Sequence, residues 1–391
     1  MTGAFNLGEI RNMLQVEDKT ESMGFHRRPL PDEVLRRIFL YIHQLSERNP
    51  LLLTSLTKRW RDLAVSLPSL WTAVRINHDR HLSVLAEIIS RSKTLPIDIY
   101  IRLEAYKYRF STEYEDAIDT LIAHITRWRS LTIVATNPVL HHIRDRIQGI
   151  LMPALEHFEL IQCDTGPVHH LGPFVFDPSV FTSLRLERTM MYPADASLLV
   201  GIKSIELVES SLAMLDEQKL LSLAYPTMEP RPPSMTSVER LVVIASNPVT
   251  HGLSYSPAFY PMHLTSVTFA RLEAPSMDLV QALSHVYGTA LSSPVLQVLE
   301  IADIHGHALV MLLAVIRSRS FSALHTLSIA AIDMDGFDDK VMDAFSVVTH
   351  LSLARVDAGP ILRRLADPVW WPALSRMELD GVVVARPTAA R

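Results

Sequence analysis

Residues 296–301 read LQVLEI, residues 324–329 read LHTLSI and residues 348–353 read VTHLSL. Each places apolar side chains at positions 0, +3 and +5. In an extended segment the last two of these share one face, and the residues between them point the other way. The same triplet recurs as Trp128-Leu131-Ile133, Leu155-Phe158-Leu160, Phe181-Leu184-Leu186, Ile202-Ile205-Leu207, Val238-Leu241-Val243, Leu264-Val267-Phe269 and Leu374-Met377-Leu379. Successive first residues lie 21 to 36 positions apart, most of them near 27. One such piece is too short to bury its own apolar face, whereas a row of them stacked side by side buries it jointly.

A period near 27 with L-x-x-L-x-L in each unit matches the leucine-rich repeat signature. The expected fold class is therefore α/β, with a leucine-rich-repeat-like solenoid over residues 128–391. The competing reading is a generic α/β protein whose strands only look repetitive; ten triplets on one period argue against it. Several return segments read as helices. Ala308 to Arg317 carries Leu309, Leu312, Leu313 and Ile316 on one stripe, and Asp278–Tyr287 and Gly359–Ala366 look similar. Residues 73–127 form a connecting segment or irregular first repeats, with Trp71-Val74-Ile76 and the alternating Ile97-Ile99-Ile101-Leu103 as candidate units. Tyr225–Thr236 and the proline-bearing Ser246–Met262 read as loop insertions. Trp370-Trp371-Pro372 is a candidate for closing the C-terminal end.

Ahead of the periodic region, residues 1–25 form an N-terminal extension and residues 26–72 a small helical domain. Pro31 suits the first position of a helix, and Asp32 and Glu33 suit its first turn. Leu35, Ile38, Phe39 and Ile42 make one apolar stripe, with Arg36 and Arg37 opposite. Ser46–Pro50 is a turn, and a second helix carries Leu53, Leu56, Trp60 and Leu63, ending before Pro68. Leu30, Val34 and Leu52 lie off the main stripes. A unit of about 45 residues buries too little surface to be secure alone, so something else must cover it.

Leu30-Pro31-x-Glu33-x-Leu35-x-x-Ile38-Phe39, then Lys58-Arg59-Trp60-Arg61-Asp62-Leu63-Ala64, then Leu70-Trp71, together resemble an F-box. The family usually has Val-Cys before its Lys/Arg-x-Trp, where this chain has Leu56 and Thr57. The wider layout is similar to the F-box proteins abundant in mushroom-forming fungi: Ser69 to Thr72 reads SLWT, Ser90 to Ile101 contains SRS and LPIDIYI, and Trp371-Pro372-Ala373-Leu374 follows late. The resemblance implies that apolar faces of the box dock onto the adaptor subunit of an SCF-type, cullin-based ubiquitin ligase. The residues it carries over are Leu30, Pro31, Val34, Leu35, Ile38, Leu53, Leu56 and Trp60, some packing internally and some facing the adaptor.

Composition narrows the alternatives. The 391 residues are 48% hydrophobic and 20% charged, with a net charge of -5; the chain is expected to fold, without a broad nucleic-acid-binding surface. The single cysteine, Cys163, can form no internal disulfide, so a reducing compartment, cytoplasm or nucleus, is expected. The longest apolar run, Ala308 to Ile316, falls short of the ~20 residues a bilayer span needs, and the N-terminus lacks a signal-peptide layout.

Candidate chemistry is sparse. Asp303, His305 and His307, and the pairs His141-His142 and His169-His170, invite a metal reading, but His305 and His307 fall in a turn before a helix and are expected to be solvated. Cys163 follows a strand and lacks a visible base, so a strand-end position is expected in place of a nucleophile. No GxSxG, GxxxxGK[ST] or GxGxxG pattern occurs, and only 13 glycines are present. Lys58, Arg59 and Arg61 read as a solvated helix face. The outward strand positions are His157, Glu159, Ser204, Glu206, Arg240, Val242, Ser266, Thr268, Val298, Glu300, Thr326, Ser328, His350, Ser352, Arg376 and Glu378; they form the expected target surface, and their mixed chemistry names no target. The expectation is a substrate receptor without catalytic, cofactor or metal sites. Its rivals are a ligase-independent repeat scaffold and an enzyme using Cys163 or a metal at His305 and His307.

Overall fold

The computed structural model describes residues 30–45, 51–54, 57–77, 79–103, 112–164, 170–193, 201–208, 238–244, 264–272, 287–288, 290–334, 336–365 and 371–382. The expected turn at 46–50, the insertions at 225–236 and 246–262, most of the helix expected at 278–287, and Leu56 lie outside them. The chain divides into two compact units: one up to Trp71 together with Arg91–Lys93, the other Thr72–Ser90 together with the chain from Thr94 onward.

The first unit contains α1 (Asp32–Leu45), α2 (Leu51–Thr54) and α3 (Lys58–Val65), then a 3-10 turn over Pro68–Trp71. Helix α1 starts one residue later than the sequence suggests. The Pro31 carbonyl accepts the N–H groups of Val34 and Leu35 at 3.0 and 3.1 Å, so Pro31 sits at the entry to the helix. The single second helix expected from Leu53 to Leu63 is two helices. Thr57 causes the break: its backbone is extended and its Oγ1 accepts the Trp60 N–H at 3.2 Å, a threonine N-cap. Of the two positions at which the sequence differs from the pattern it resembles, Leu56 and Thr57, the described one, Thr57, is an exposed helix start.

The second unit is a mixed α/β structure built on one open parallel sheet. Its strands are β1 (Ala73–Ile76), β2 (Ile97–Leu103), β3 (Trp128–Ala135), β5 (His157–Gln162), β7 (Ser183–Glu187), β9 (Ser204–Val208), β10 (Arg240–Ile244), β11 (Ser266–Ala270), β12 (Val298–Ala302), β13 (Thr326–Ala330), β14 (His350–Ala354) and β15 (Arg376–Asp380), in that spatial order. The last two residues of all ten triplets lie in this sheet, and in nine triplets all three side chains are buried. The exception is the last, in β15, where Met377 is 42% and Leu379 49% exposed.

Two main-chain devices repeat along the sheet. The residue at position +1 of each triplet from Leu155 to Val348 offers its carbonyl to two successive N–H groups of the next unit. The N–H groups of Thr182 and Ser183 reach Glu156 O, those of His325 and Thr326 reach Gln297 O, and those of Ser375 and Arg376 reach Thr349 O. At the other end of the strands, Arg188, Arg271, Asp303, Ala331, Arg355 and Gly381 leave with φ between 51° and 57°. The N–H groups of the first five each donate to the last carbonyl of the next strand, at 2.8 to 2.9 Å. Left-handed backbone favours glycine, yet only Gly381 supplies it, so the exits are invisible to a search for glycine.

Between strands lie α4 (Asp79–Arg91), α5 (Thr112–Ile122), α6 (Asn137–Ile147), α7 (Gly306–Arg317), α8 (Asp339–Ala344) and α9 (Gly359–Leu365). Helix α7 buries Leu309, Leu312, Leu313 and Ile316 as its stripe requires, and no helix among the described residues is long and apolar enough to cross a membrane. In the middle of the chain the returns include strands. A second parallel sheet joins β4 (Leu151–Met152), β6 (His170–Phe176) and β8 (Met190–Pro193). Phe174 and Phe176 from β6 meet Phe158 at 5.1 and 5.5 Å between ring centroids, and Phe176 stacks on Phe181 at 4.3 Å. Aromatic rings therefore fill the space between the two sheets here. Trp371 is buried and its Nε1 donates to Met342 O at 2.9 Å, which ties the segment entering β15 to helix α8.

Candidate functional site

Helix α1 has two apolar faces, and the described residues of the first unit close one of them. Leu35 and Phe39 are buried with Trp60, Leu63 and Ala64 of α3. The Phe39 and Trp60 rings meet at 5.0 Å between centroids with a 57° tilt. Trp71 is buried as well; its Nε1 donates to Ala64 O at 2.9 Å and the Arg91 guanidinium lies 4.3 Å above its ring. This is the core that the i, i+3, i+4 stripe predicts.

The second face consists of Val34, Ile38 and Tyr41 at i, i+4 and i+7, continued by Leu30 and Pro31 ahead of the helix. Leu30 is 43%, Val34 40% and Tyr41 61% exposed, Pro31 is exposed, and Ile38 is half-buried. Of the residues carried over by resemblance, Leu35 and Trp60 therefore belong to the core, while Leu30, Pro31 and Val34 are exposed. Leu53 is half-buried, and Leu56 lies outside the described residues. Tyr41 was not among the candidates, although its spacing from Val34 and Ile38 was available in the sequence as a second helical stripe.

Arg59 holds this face in place. Its Nε and Nη2 reach Asp32 Oδ1 at 3.0 and 2.6 Å, and Nη2 also donates to the Leu30 carbonyl. Arg61 Nε donates to Thr54 O at 2.7 Å, linking α2 to α3. These two arginines are exposed, as a solvated helix face requires, and the structure adds the partners that the sequence did not show. Arg59 pins the segment bearing Leu30 and Pro31 against α3 through two contacts 27 and 29 residues away in sequence, a distance at which no local pattern shows a pairing.

The outward face of the large sheet has two characters. Across β3 to β10 it is charged and cross-linked. Arg185 reaches Glu159 at 3.2 Å, Glu187 at 3.1 Å and Glu206 at 3.4 Å; Arg240 approaches Glu206 at 3.9 Å, and Thr132 donates to Glu159 at 3.1 Å. Arg185, the centre of the network, stands on the strand whose outward residues the sequence reading passed over. Across β11 to β14 the outward rows in register are Ser266-Val298-Thr326-His350, Thr268-Glu300-Ser328-Ser352 and Ala270-Ala302-Ala330-Ala354, mostly small side chains, with Thr268 donating to Glu300 at 2.8 Å. Val242, expected among the exposed positions, is buried; it lies in register between Glu206 and Thr268.

Among the described residues, those considered for chemistry do not converge; His169 lies outside them. His305 Nε2 lies 2.9 Å from Asp303 Oδ1, both about half exposed, and His307 is exposed at the start of α7. His142 faces Glu115 at 3.7 Å. Cys163 follows β5, where its N–H donates to Ala135 O at 3.0 Å. Among the described residues no three His, Cys, Asp or Glu side chains group as metal ligands. Compared with the known protein families and with curated proteins, the chain matches none.

Proposed function

We propose that the chain is the substrate-recognition subunit of an SCF-type ubiquitin ligase, acting in the cytoplasm or nucleus. In this reading the first unit is an F-box that docks on the adaptor and, through it, the cullin scaffold. The second unit is a leucine-rich-repeat-like solenoid that holds a target protein on its outward strand face. The observation that carries the reading is the open face of Leu30, Pro31, Val34 and Tyr41 on a helix whose opposite face is already closed by Phe39 and Trp60. An apolar face left over after a unit has formed its core marks a binding surface. The receptor does no chemistry; its contribution to ubiquitin transfer is proximity.

The structure changes which substitutions test this. Leu35→Asp would put a carboxylate into the core and report on folding. Val34→Asp and Tyr41→Asp alter only the open face. Covering one large apolar side chain is worth about 1.5–3 kcal/mol, a factor of about 10 to 100 in binding. Each variant is expected to lose adaptor in co-purification while keeping the wild-type melting temperature. Wild-type adaptor recovery with both variants would refute docking through this face. A wild-type chain that brings down neither adaptor nor cullin would favour the ligase-independent scaffold.

A further inference from the structure

Among the described residues strand β15 is the last of the large sheet, and its edge and its inward side chains are both open. Met377 and Leu379 occupy the same repeat positions as the buried Leu351 and Leu353, with which they are in register, yet they are 42% and 49% exposed. The backbone direction along this edge is fixed. The N–H of Arg376 donates to Thr349 O and the carbonyl of Asp380 accepts from Arg355, so Arg376, Glu378 and Asp380 turn their main-chain groups toward β14. Main-chain groups alternate along a strand, so those of Met377 and Leu379 face the free edge.

The sequence of this edge, Arg376-Met377-Glu378-Leu379-Asp380, is complementary to itself read backwards. Two copies related by a two-fold axis through Glu378 bring Met377 opposite Leu379 of the second copy and Leu379 opposite its Met377. Those are the residues whose main-chain groups are free, so each pair exchanges both of its hydrogen bonds. On the outward face the same register sets Arg376 opposite Asp380 of the second copy, and the reverse, in the closer non-hydrogen-bonded positions. The one unfavourable pair is Glu378 with its own copy, and each Glu378 is already held by its own Arg376 at 2.5 Å. A two-fold interface needs a patch that fits itself, and an open strand edge is a template for such pairing.

We propose that the chain forms a symmetric homodimer by antiparallel pairing of β15 with β15 of a second copy, centred on Glu378. The mass of the full chain, measured by sedimentation between about 1 µM and 1 mM, is expected to pass from monomer to dimer. Asp380→Arg sets arginine against arginine at both ends of the pair and is expected to weaken association about tenfold or more. The double variant Arg376→Asp/Asp380→Arg restores opposite charges across the axis and is expected to recover part of the loss. The register is read by disulfides in a Cys163→Ser background. Glu378→Cys is expected to cross-link to its own copy under mild oxidation, because residues at that position face each other across the axis; Met377→Cys is not. A chain that stays monomeric across the range, a dimer indifferent to Asp380→Arg, or cross-linking by Met377→Cys in place of Glu378→Cys would each overturn the proposal.

Discussion

Leu353 and Leu379 are the same residue at the same position of neighbouring repeats, paired in register, and the structure treats them oppositely. Leu353 is fully buried, between Ile329 on one side and Leu379 on the other. Leu353→Ala removes its transfer energy and leaves a cavity that the flanking strands cannot collapse into, so the expected loss is about 2–5 kcal/mol. Leu379 is 49% exposed. Only about half of a leucine's transfer energy is at stake, roughly 1 kcal/mol, and no closed cavity forms. Urea unfolding followed by far-UV circular dichroism, on dilute protein, gives both values from the shift in midpoint at unchanged slope. Equal losses for the two variants in a monomeric sample would show that β15 is covered in solution by something within the same chain. The argument for an open end, and the dimer built on it, would then fall together.

Other expectations follow from single contacts. Gly201→Ala is expected to destabilise by about 1–3 kcal/mol, because its Cβ would sit 1.8 Å from the Pro178 carbonyl oxygen, a backbone atom that cannot swing away; thermal melting checks this. Ala331→Gly is expected to be neutral or slightly stabilising and Ala331→Val destabilising by about 1–2 kcal/mol, since this residue leaves its strand with φ of 51°; a glycine variant that loses stability would refute the strain argument. Asp338 caps α8 by accepting the Val341 N–H at 3.1 Å and pairs with Arg317 at 2.8 Å, and these hold its carboxyl below the usual carboxylate range. Its stabilisation is therefore present above the unfolded value and is lost as pH falls through the lower folded one. The melting-temperature deficit of Asp338→Ala should narrow between about pH 7 and about pH 3; a constant deficit would mean the charge contributes nothing.

The strands were legible because their signal is short-range and repeated. Each triplet fixes which side chains turn inward, and the ten positions fall in the sheet. What the triplet does not encode is whether a neighbour exists to cover it, so Leu374-Met377-Leu379 reads like the others and is open. The same limit applies in reverse to Val242, outward by spacing and buried in fact. The second sheet was missed because Leu151–Met152 and Met190–Pro193 are too short to show alternation, and Phe174 and Phe176 declare themselves only by meeting Phe158. On the first unit the core stripe of α1 could be read, whereas sorting Leu30, Pro31 and Val34 from Leu35 and Trp60 required the position of α3. Thr57 could have been read as a cap from its residue type, and Arg59's grip on Asp32 and Leu30 could not.

Among the described residues each strand of the large sheet is bonded to the strands of that sheet that precede and follow it in the chain. Tension applied at the C-terminal end would therefore meet one ladder at a time, not all of them in parallel. The sheet should peel from β15 inward in a series of small, similar steps, each releasing one strand and the segment that leads to it, about 27 residues. A chain so arranged yields gradually when a translocating motor engages that end.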